Sequence, residues 1–318
     1  GKNFGFKNIG ENKKVNIEFV SANPTGPLHV GHTRGAVFGD VLANLLKSVG
    51  YIVTKEYYIN DAGTQIDALS RSAYSRYKEA LGEKYLSNNN EYPGDYLKIV
   101  GQKLKDNFGN SLLSIENNLN LEKIKKFTVE MMILEIKKDL LDLGVVMDNF
   151  VSENSLYETG KVQEAINHLY KLGLIYKGIL DKPKGSENTD WVEREQELFK
   201  STLFGDDIDR PIKKIDGGWT YFAPDIAYHY DKIRRDYDEI IDILGADHSG
   251  YTARMKAVVS ALSNGEKDLK IKLCQLVKLF KDGKPVKMSK RSGTYITLRD
   301  LLNEVGRDSI RFLFLMRK

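Results

Sequence analysis

The sequence has 318 residues, of which 41% are hydrophobic and 29% charged, and its formal net charge at pH 7 is +4. This length suffices for one large domain with an insertion or for two domains, and the composition is that of an ordinary soluble protein. No apolar run reaches the roughly 18 residues of a membrane span, the first residues lack the apolar core of a signal peptide, and a single cysteine excludes an internal disulfide framework. We therefore expect a cytoplasmic protein that does not contact a membrane.

The first 66 residues predict a strand, a helix and a second strand. Lys14–Val20 alternates in polarity and is rich in β-branched residues, the next segment carries apolar residues at helical spacing, and Tyr51–Ile59 is again typical of a strand. A strand-helix-strand unit is expected to be right-handed and to lie on a parallel sheet. The predicted fold class is therefore α/β, with a Rossmann-like parallel sheet.

Three further regions follow this first half of the sheet domain. Long helical patterns and polar stretches over residues 67–210 indicate a helix-rich insertion between the two halves. The second half, residues 211–275, predicts a buried strand at Ile240–Leu244 and a helix from Tyr251 to Ser263. Residues 276–318 form a loop and the start of a helical region.

The last part of the chain is basic and begins with a further apolar segment. Leu273–Phe280, LCQLVKLF, predicts the last strand of the sheet. From Lys267 to the end there are 14 Lys and Arg against 5 Asp and Glu. This end of the chain could face phosphate, although a solvated basic surface explains the charge equally well.

The segment ANPTGPLHVGHTRG, Ala22–Gly35, joins the first predicted strand to the first predicted helix. In an α/β sheet this turn lies at the carboxyl edge, where the helix amino terminus offers free N–H groups to an anion. Gly31 lacks the Cβ that would keep a flat base away from the backbone. His29 and His32 can donate hydrogen bonds to phosphate oxygens, although two loop histidines without a ligand remain the alternative.

A second basic motif, KMSKR, follows the last predicted strand. It places Lys287 and Lys290 on a loop punctuated by glycine and proline, which could bring two ammonium groups onto a polyphosphate. Alone, the motif is equally compatible with a solvated run of charges. Its occurrence together with the histidine turn favours a nucleotide site.

With both motifs the sequence resembles the class I aminoacyl-tRNA synthetases. Their HIGH and KMSKS signatures, which bind ATP, correspond here to HVGH and to KMSKR, in which Arg291 replaces the final serine and Ser292 follows. More narrowly, the chain resembles the catalytic core of bacterial arginyl-tRNA synthetases. The similar segments are IEFVSANPTGPLHVGHTRGAVFGDVLANLL, YYINDAGTQI, LFKSTLFGDDIDRPIKK, DGGWTYFAPDIAYHYDK, ILGADHSGY and VKMSKRSGTYITLRDLL. The amino-terminal tRNA-binding domain and the helical anticodon-binding domain of that family have no counterpart in these residues, so we expect a catalytic-core fragment.

The resemblance implies a reaction and its partners. Arginine attacks the α-phosphorus of ATP, pyrophosphate leaves, and the activated arginine passes to tRNA(Arg), with His29, His32, Lys287 and Lys290 as the catalytic residues. Two lysines and two imidazoles would offset the charge on the transferring phosphoryl and the pyrophosphate, so that no covalent nucleophile is needed. Mg²⁺ is expected to accompany ATP without a metal cage made by the protein. The family also implies a monomer and activation of arginine that depends on bound tRNA.

The resemblance further assigns two sets of binding residues. A planar guanidinium is best bound by carboxylates. Glu18 and Asp225 match the acidic residues that hold it, Tyr221 matches a pocket tyrosine, and Asn23 matches the residue that binds the amino-acid backbone. Without the resemblance, each of these four fits an ordinary salt-bridged, solvated or packed side chain. The residues implied in ATP binding are His29, Gly31, His32, Gly245, Asp247, His248, Met288 and Lys290, of which Asp247 and His248 match the ribose site.

Two other classes of function remain open. A class I nucleotidylyltransferase shares the H-x-G-H turn, although the long insertion and the segment DGGWTYFAPDIAYH argue against it. A non-catalytic binding module is the other alternative, and the intact motif histidines and lysines argue against that. His168 fits a helix-face residue rather than a ligand, while the role of His229 is undecided from sequence.

Overall fold

The computed structural model describes residues 5–85, 91–114, 118–180, 193–275, 277, 279–281, 284–286 and 296–316. The chain folds into two compact units. Unit 1 comprises Gly1–Phe19, Leu42–Glu56 and Glu153–Cys274, and unit 2 comprises Val20–Val41, Tyr57–Ser152 and Gln275–Lys318.

The described residues form strands and helices in both units. The strands are β1 (Lys14–Glu18), β2 (Ile52–Ile59), β3 (Asn149–Ser152), β4 (Ile175–Ile179), β5 (Glu195–Phe199), β6 (Arg210–Pro211), β7 (Glu239–Gly245), β8 (Leu269–Cys274), β9 (Leu279–Lys281) and β10 (Lys284–Val286). The helices are α1 (Val30–Ser48), α2 (Thr64–Ala80), α3 (Tyr96–Phe108), α4 (Asn118–Asp142), α5 (Glu153–Glu158), α6 (Lys161–Lys171), α7 (Phe222–Arg234), α8 (Thr252–Leu262), α9 (Leu298–Val305) and α10 (Arg307–Met316). Helix α1 and strand β2 each run from one unit into the other.

The main sheet has five strands in the order β3-β2-β1-β7-β8. Strand β1 pairs in parallel with β2 and with β7, and β7 pairs in parallel with β8. The side chains of Val15 and Ile17 on β1 are fully buried, as expected for the central strand of a parallel sheet. The predicted α/β fold with a Rossmann-like parallel sheet is thereby confirmed.

The last predicted strand is wrong in its position. Strand β8 begins at Leu269 and ends at Cys274, and Leu279 and Phe280 belong to a separate strand, β9, which pairs antiparallel with β10. Leu269 is fully buried and pairs with Ile240, whereas Lys270 and Lys272 are exposed. The segment Leu269–Cys274 alternates in polarity as a half-buried strand does, but the prediction took the more apolar run that follows it.

The remainder of unit 1 consists of helices and a small antiparallel sheet. Strands β4, β5 and β6 form this sheet, while α6 packs on α7 and α7 packs on α8. His168 lies on α6, where its ring stacks on Tyr230 at 4.8 Å and its Nε2 lies 3.3 Å from the Leu262 carbonyl oxygen. It is a packed helix residue, in agreement with the interpretation from sequence.

Unit 2 is mainly helical. Helices α2, α3 and α4 share a core of buried side chains, which are Leu69, Ala73, Tyr77, Leu97, Val100, Leu104, Leu112, Ile124 and Met132. Helix α9 begins with a capping box, in which the Thr297 and Asp300 side chains bond each other's backbone N–H groups. Among the residues described, no helix is both long and apolar enough to cross a membrane.

Candidate functional site

The HVGH turn of unit 2 places its two histidines face to face. The rings of His29 and His32 stack with centroids 3.8 Å apart, and the His29 backbone N–H donates to His32 Nδ1 at 3.2 Å. The Gly31 N–H donates to His29 Nδ1 at 3.1 Å. A Cβ at Gly31 would lie 2.8 Å from the His29 ring, closer than real Cβ atoms approach. Glycine at this position therefore lets the imidazole lie against the first turn of α1.

The same turn is bonded to the residues that follow the KMSKR motif. The Val30 N–H donates to the Ile296 carbonyl at 3.1 Å, and the Leu298 N–H donates to the Leu28 carbonyl at 2.7 Å. His29 and Thr297 form an isolated antiparallel bridge between these bonds. The predicted site residues Lys287, Met288 and Lys290 themselves lie outside the described residues. The HVGH turn is thus bonded to residues 296–298, which are the first described residues after the second motif.

The chain enters the HVGH segment through a left-handed bend. Val20 has φ 70° and Ser21 has φ 39°, which is unusual backbone for a β-branched residue such as Val20. Asn23 follows this bend, and its amide Nδ2 donates to Gln65 Oε1 at 3.0 Å. The bend re-aims the chain after β1, and Gln65 fixes the side chain that sequence similarity assigns to the amino-acid backbone.

Unit 1 carries a row of three carboxylates across its parallel strands. Glu18 on β1 is the register partner of Glu56 on β2 and of Asp242 on β7. All three residues are at least 94% buried. Three like charges in adjacent buried positions would strongly destabilise the sheet without cations beside them. We call Glu56, Glu18 and Asp242 the carboxylate row.

Helix α7 and the residue after it supply the partners of the carboxylate row. Lys232 donates to Glu18 Oε2 at 2.6 Å and to Asp242 Oδ1 at 2.8 Å, and its side chain is fully buried. Arg235 forms a bidentate pair with Glu56, with Nη2 to Oε1 at 2.9 Å and Nη1 to Oε2 at 2.5 Å. Burial favours the neutral acid, but the hydrogen bonds and charges of Arg235 and Lys232 outweigh it and lower the pKa of Glu56 to about 2.

Two neighbouring α7 residues complete these contacts. The Tyr228 hydroxyl donates to Glu56 Oε1 at 2.8 Å, and His229 Nε2 lies 2.9 Å from Asp242 Oδ2. His229 Nδ1 lies 2.9 Å from the backbone carbonyl oxygen of Asp225. Since His229 is 4% exposed and both ring nitrogens have partners, it serves as a structural link. This settles the residue left undecided by sequence.

Asp225 lies one turn before His229 on α7, among other acidic groups. Burial raises the pKa of the Asp225 carboxyl to about 7, and the charges of Glu153 and Glu18 add to this effect. His229 and Arg254 act in the opposite direction without cancelling it. A bound cation strongly stabilises the ionised form of a carboxyl group in such an environment. The structure therefore brings Glu18 and Asp225 into one electrostatic environment within unit 1.

Tyr221 and Arg254 form a second pair in unit 1. Tyr221 is 64% exposed, and Arg254 Nη1 donates to its hydroxyl at 3.3 Å. The Arg254 guanidinium also lies over the Tyr251 ring, 4.7 Å from its centroid. Burial acts against it, but hydrogen bonds from Arg254 and Tyr251 lower the pKa of Tyr221. The exposed phenol is thus an oriented polar group rather than a core aromatic.

The GADH segment follows β7 at the carboxyl edge of the sheet. Gly245 ends the strand, and Asp247 and His248 lie on a short 3₁₀ helix, Ala246–Tyr251. Both side chains are more than half exposed, with His248 Nε2 3.8 Å from Asp247 Oδ2. The Asp247 carboxylate lies directly over Gly245, where a Cβ would displace it. These polar groups occupy the edge where open α/β sheets bind ligands.

Several residues of these clusters were not singled out from the sequence. They are Gln65, Glu56, Lys232, Arg235, Asp242 and Arg254. The available signal was the presence of acidic residues in three largely buried strands, together with cations at helical spacing in YHYDKIRR. In the part of the chain that the structure describes, no group of three or more His, Cys, Asp or Glu side chains could hold a metal ion.

The chain is similar to known proteins over its whole length. Arginine–tRNA ligases of Ruegeria sp. (strain TM1040) and Roseobacter denitrificans are each 59% identical to this chain, over 99% and 100% of its length. The chain spans 54% and 55% of these two proteins, about half the length of the curated relatives that it matches.

Solved structures show the same fold. The crystal structure of a Campylobacter jejuni protein assigned as an arginyl-tRNA synthetase is 36% identical to this chain with a TM-score of 0.84, covering all of this chain and 66% of that one. Thermus thermophilus arginyl-tRNA synthetase shares the fold alone, at 15% identity and a TM-score of 0.62, over 95% of this chain and 57% of that one. The family described as tRNA synthetases class I (R), catalytic domain, matches residues 2–314, and the chain belongs to this family.

Proposed function

We propose that this chain carries the catalytic core of an arginine–tRNA ligase, which activates arginine with ATP and transfers it to tRNA(Arg). The stacked His29–His32 turn, bonded to the residues that follow KMSKR, is the observation that carries this proposal. Both signature motifs bind ATP in this family. In this chain the backbone at the first motif is hydrogen-bonded to the backbone that follows the second. A cytoplasmic location, a monomeric state and the four domain boundaries predicted from sequence stay predictions.

The phosphate chemistry belongs to unit 2 in this proposal. His29 and His32 donate to the ATP phosphates, Gly31 lies under the adenosine, and Lys287, Met288 and Lys290 complete the nucleotide contacts. The helix amino terminus at Val30 adds a partial positive charge next to the histidines. Positioning and charge stabilisation account for the rate of such a transfer, without a protein nucleophile. Mg²⁺ enters only as the companion of ATP, whose phosphate charge it neutralises.

The guanidinium contacts belong to unit 1 in this proposal, and the family resemblance assigns Asn23 to the amino-acid backbone. Glu18 and Asp225 provide two carboxylates for the guanidinium, and the exposed Tyr221 hydroxyl is oriented by Arg254. A carboxyl group whose pKa is raised by burial and by neighbouring acids is stabilised when a guanidinium binds. Gly245, Asp247 and His248 are assigned to the adenosine ribose at the edge of the sheet.

Exchange of labelled pyrophosphate into ATP tests this proposal. We expect exchange that depends on arginine and rises when tRNA(Arg) is present, measured on this chain and on the complete gene product if that is longer. Exchange that requires a different small molecule in place of arginine would favour a nucleotidylyltransferase. Binding of ATP without exchange under any of these conditions would favour a non-catalytic module.

Gly31→Ala is expected to lower the rate of arginine activation by about 10- to 100-fold, because a group displaced by about 1 Å can cost that much. The new Cβ would meet His29 Cε1 at 2.8 Å and Nδ1 at 2.9 Å, so the ring must leave its stack. The thermal unfolding temperature should not fall, since alanine favours helix more than glycine does. Pyrophosphate exchange and circular dichroism measure the two effects.

Gly35→Ala is the matched control for this variant. Gly35 lies on the same helix, one turn further on, and a Cβ there meets nothing within 4 Å. Its activity should equal that of the wild type. Equal losses in both variants would show that the effect comes from helix α1 as a whole, and the assigned role of Gly31 would then be wrong.

A further inference from the structure

The carboxylate row of unit 1 has a buried cation, Lys232, beside Glu18. Glu18 is the one member of the row that sequence similarity assigns to the substrate guanidinium. It lies between Glu56 and Asp242 in register, so it experiences negative charge from both sides. Burial and the neighbouring carboxylates disfavour the ionised form of Glu18, and a cation beside it favours the charge that attracts arginine.

Lys232 supplies that cation, and its ammonium group is fully committed. It donates to Glu18 at 2.6 Å and to Asp242 at 2.8 Å, and it lies over the Tyr228 ring, 4.2 Å from the centroid. An ammonium group has three N–H donors, and these three partners surround it. With a fully buried side chain, Lys232 acts on a ligand only through Glu18 and Asp242.

The contacts of Lys232 also reach the second assigned carboxylate. Asp242 binds His229 at 2.9 Å, and His229 binds the Asp225 backbone carbonyl at 2.9 Å. Every step of this path lies within unit 1 at hydrogen-bond distance, and all steps are buried except the last, to Asp225, which is partly buried. A path of this kind fixes the Glu18 side chain on β1 and the Asp225 backbone on α7 relative to each other.

We propose that Lys232 is a positioning residue for arginine, which holds Glu18 ionised and oriented and, through Asp242 and His229, fixes it relative to Asp225. This inference rests on the proposed function and adds to it a residue that does not itself touch the substrate. The charges around Lys232 support this inference. Burial raises the pKa of Glu18, so a cation beside it favours the ionised form. Burial acts in the same direction on Asp242, but Lys232 and His229 outweigh it and lower the pKa of that carboxyl group.

The first test is Lys232→Met, which keeps an unbranched side chain and removes the charge. We expect the KM for arginine in pyrophosphate exchange to rise about 10- to 100-fold, with the KM for ATP unchanged within about twofold. Lys161→Met is the matched control, because Lys161 also pairs with an α7 carboxylate, Asp231, but outside this path. The control should leave both KM values unchanged.

The second test is the pair Glu18→Gln and Glu18→Gln with Lys232→Met. The double variant removes one negative and one positive charge together, so it is expected to fold even if Lys232→Met does not. If Lys232 acts through Glu18, the double variant has the same arginine KM as Glu18→Gln alone. Thermal unfolding of each variant shows whether the comparison is made between folded proteins.

The outcomes separate this inference from the proposed function. A wild-type protein that activates no arginine overturns both. A wild-type protein that activates arginine, with a folded Lys232→Met variant of unchanged arginine KM, overturns the role of Lys232 alone. The same holds if both KM values rise equally, or if the effects of Glu18→Gln and Lys232→Met multiply in the double variant.

Discussion

Asp225→Asn is expected to raise the KM for arginine about 30-fold or more while leaving the KM for ATP unchanged within about twofold. Removing one partner of a buried, charge-assisted pair costs about 2 kcal/mol or more, and every 1.4 kcal/mol is about tenfold in affinity. An amide keeps the shape of the carboxyl group but not its charge. Steady-state pyrophosphate exchange with either substrate varied measures both constants.

The same carboxyl group should make arginine binding depend on pH. The pKa of Asp225 is raised to about 7 before arginine binds, and a bound guanidinium favours the ionised form and lowers it. Arginine binding is therefore full above about pH 7 and weakens as the pH falls below it. Burial is the main cause of this raised pKa, and the charges of Glu153, Glu18, His229 and Arg254 modify it.

Asp231→Asn is the matched control for both effects. Asp231 is an acidic residue of the same helix, and it pairs with Lys161 at 2.5 Å and with Arg235 at 3.1 Å. Asp231→Asn should keep the arginine KM and its pH dependence, whereas Asp225→Asn should lose the dependence near pH 7. A folded Asp225→Asn variant with the pH profile of the wild type would show that Asp225 is not a guanidinium ligand.

Local patterns were sufficient to predict the first half of the sheet. Strands β1 and β2 and helix α1 lie within a few residues of their predicted positions, because polarity alternation and helical spacing act over short distances. The same holds for β7 and α8. Strand β8 was misplaced because the prediction took the more apolar run after it, although Leu269–Cys274 itself alternates in polarity.

Long-range pairings were not predictable from one sequence. The carboxylate row arises only when β2, β1 and β7 align in register, and Glu56 is 186 positions from Asp242 in the chain. The same is true of Arg254 on α8 and Tyr221, which directly precedes α7, because they meet only through packing. A single acid in a strand gives no hint of its partner, so the motifs identified the family while the supporting residues required the structure.

The KMSKR motif is related to the structure only through the residues that follow it. Its residues lie outside the described part of the chain, and its assignment rests on the motif and on the segment that follows. Ile296, Thr297 and Leu298 bond the HVGH turn directly, and α9 begins at Leu298 with a capping box. The residues that follow the motif are therefore held at the candidate phosphate site, and the first of them, Ile296, comes six positions after Lys290 in the sequence.

Lys290→Ala is accordingly expected to lower the kcat of arginine activation about 100-fold or more, with the KM for arginine changed by less than about threefold. One donor aimed at charge that develops in the transition state is worth about 3 kcal/mol, and such a donor adds little to binding of the ground state. Lys284→Ala, in β10 of the same segment, removes an equal charge six residues earlier and should retain activity. Pyrophosphate exchange under saturating ATP and arginine measures kcat in both variants. Equal losses would mean that only the net charge of this segment matters, and unchanged activity in a folded Lys290→Ala variant would remove Lys290 from the phosphate chemistry.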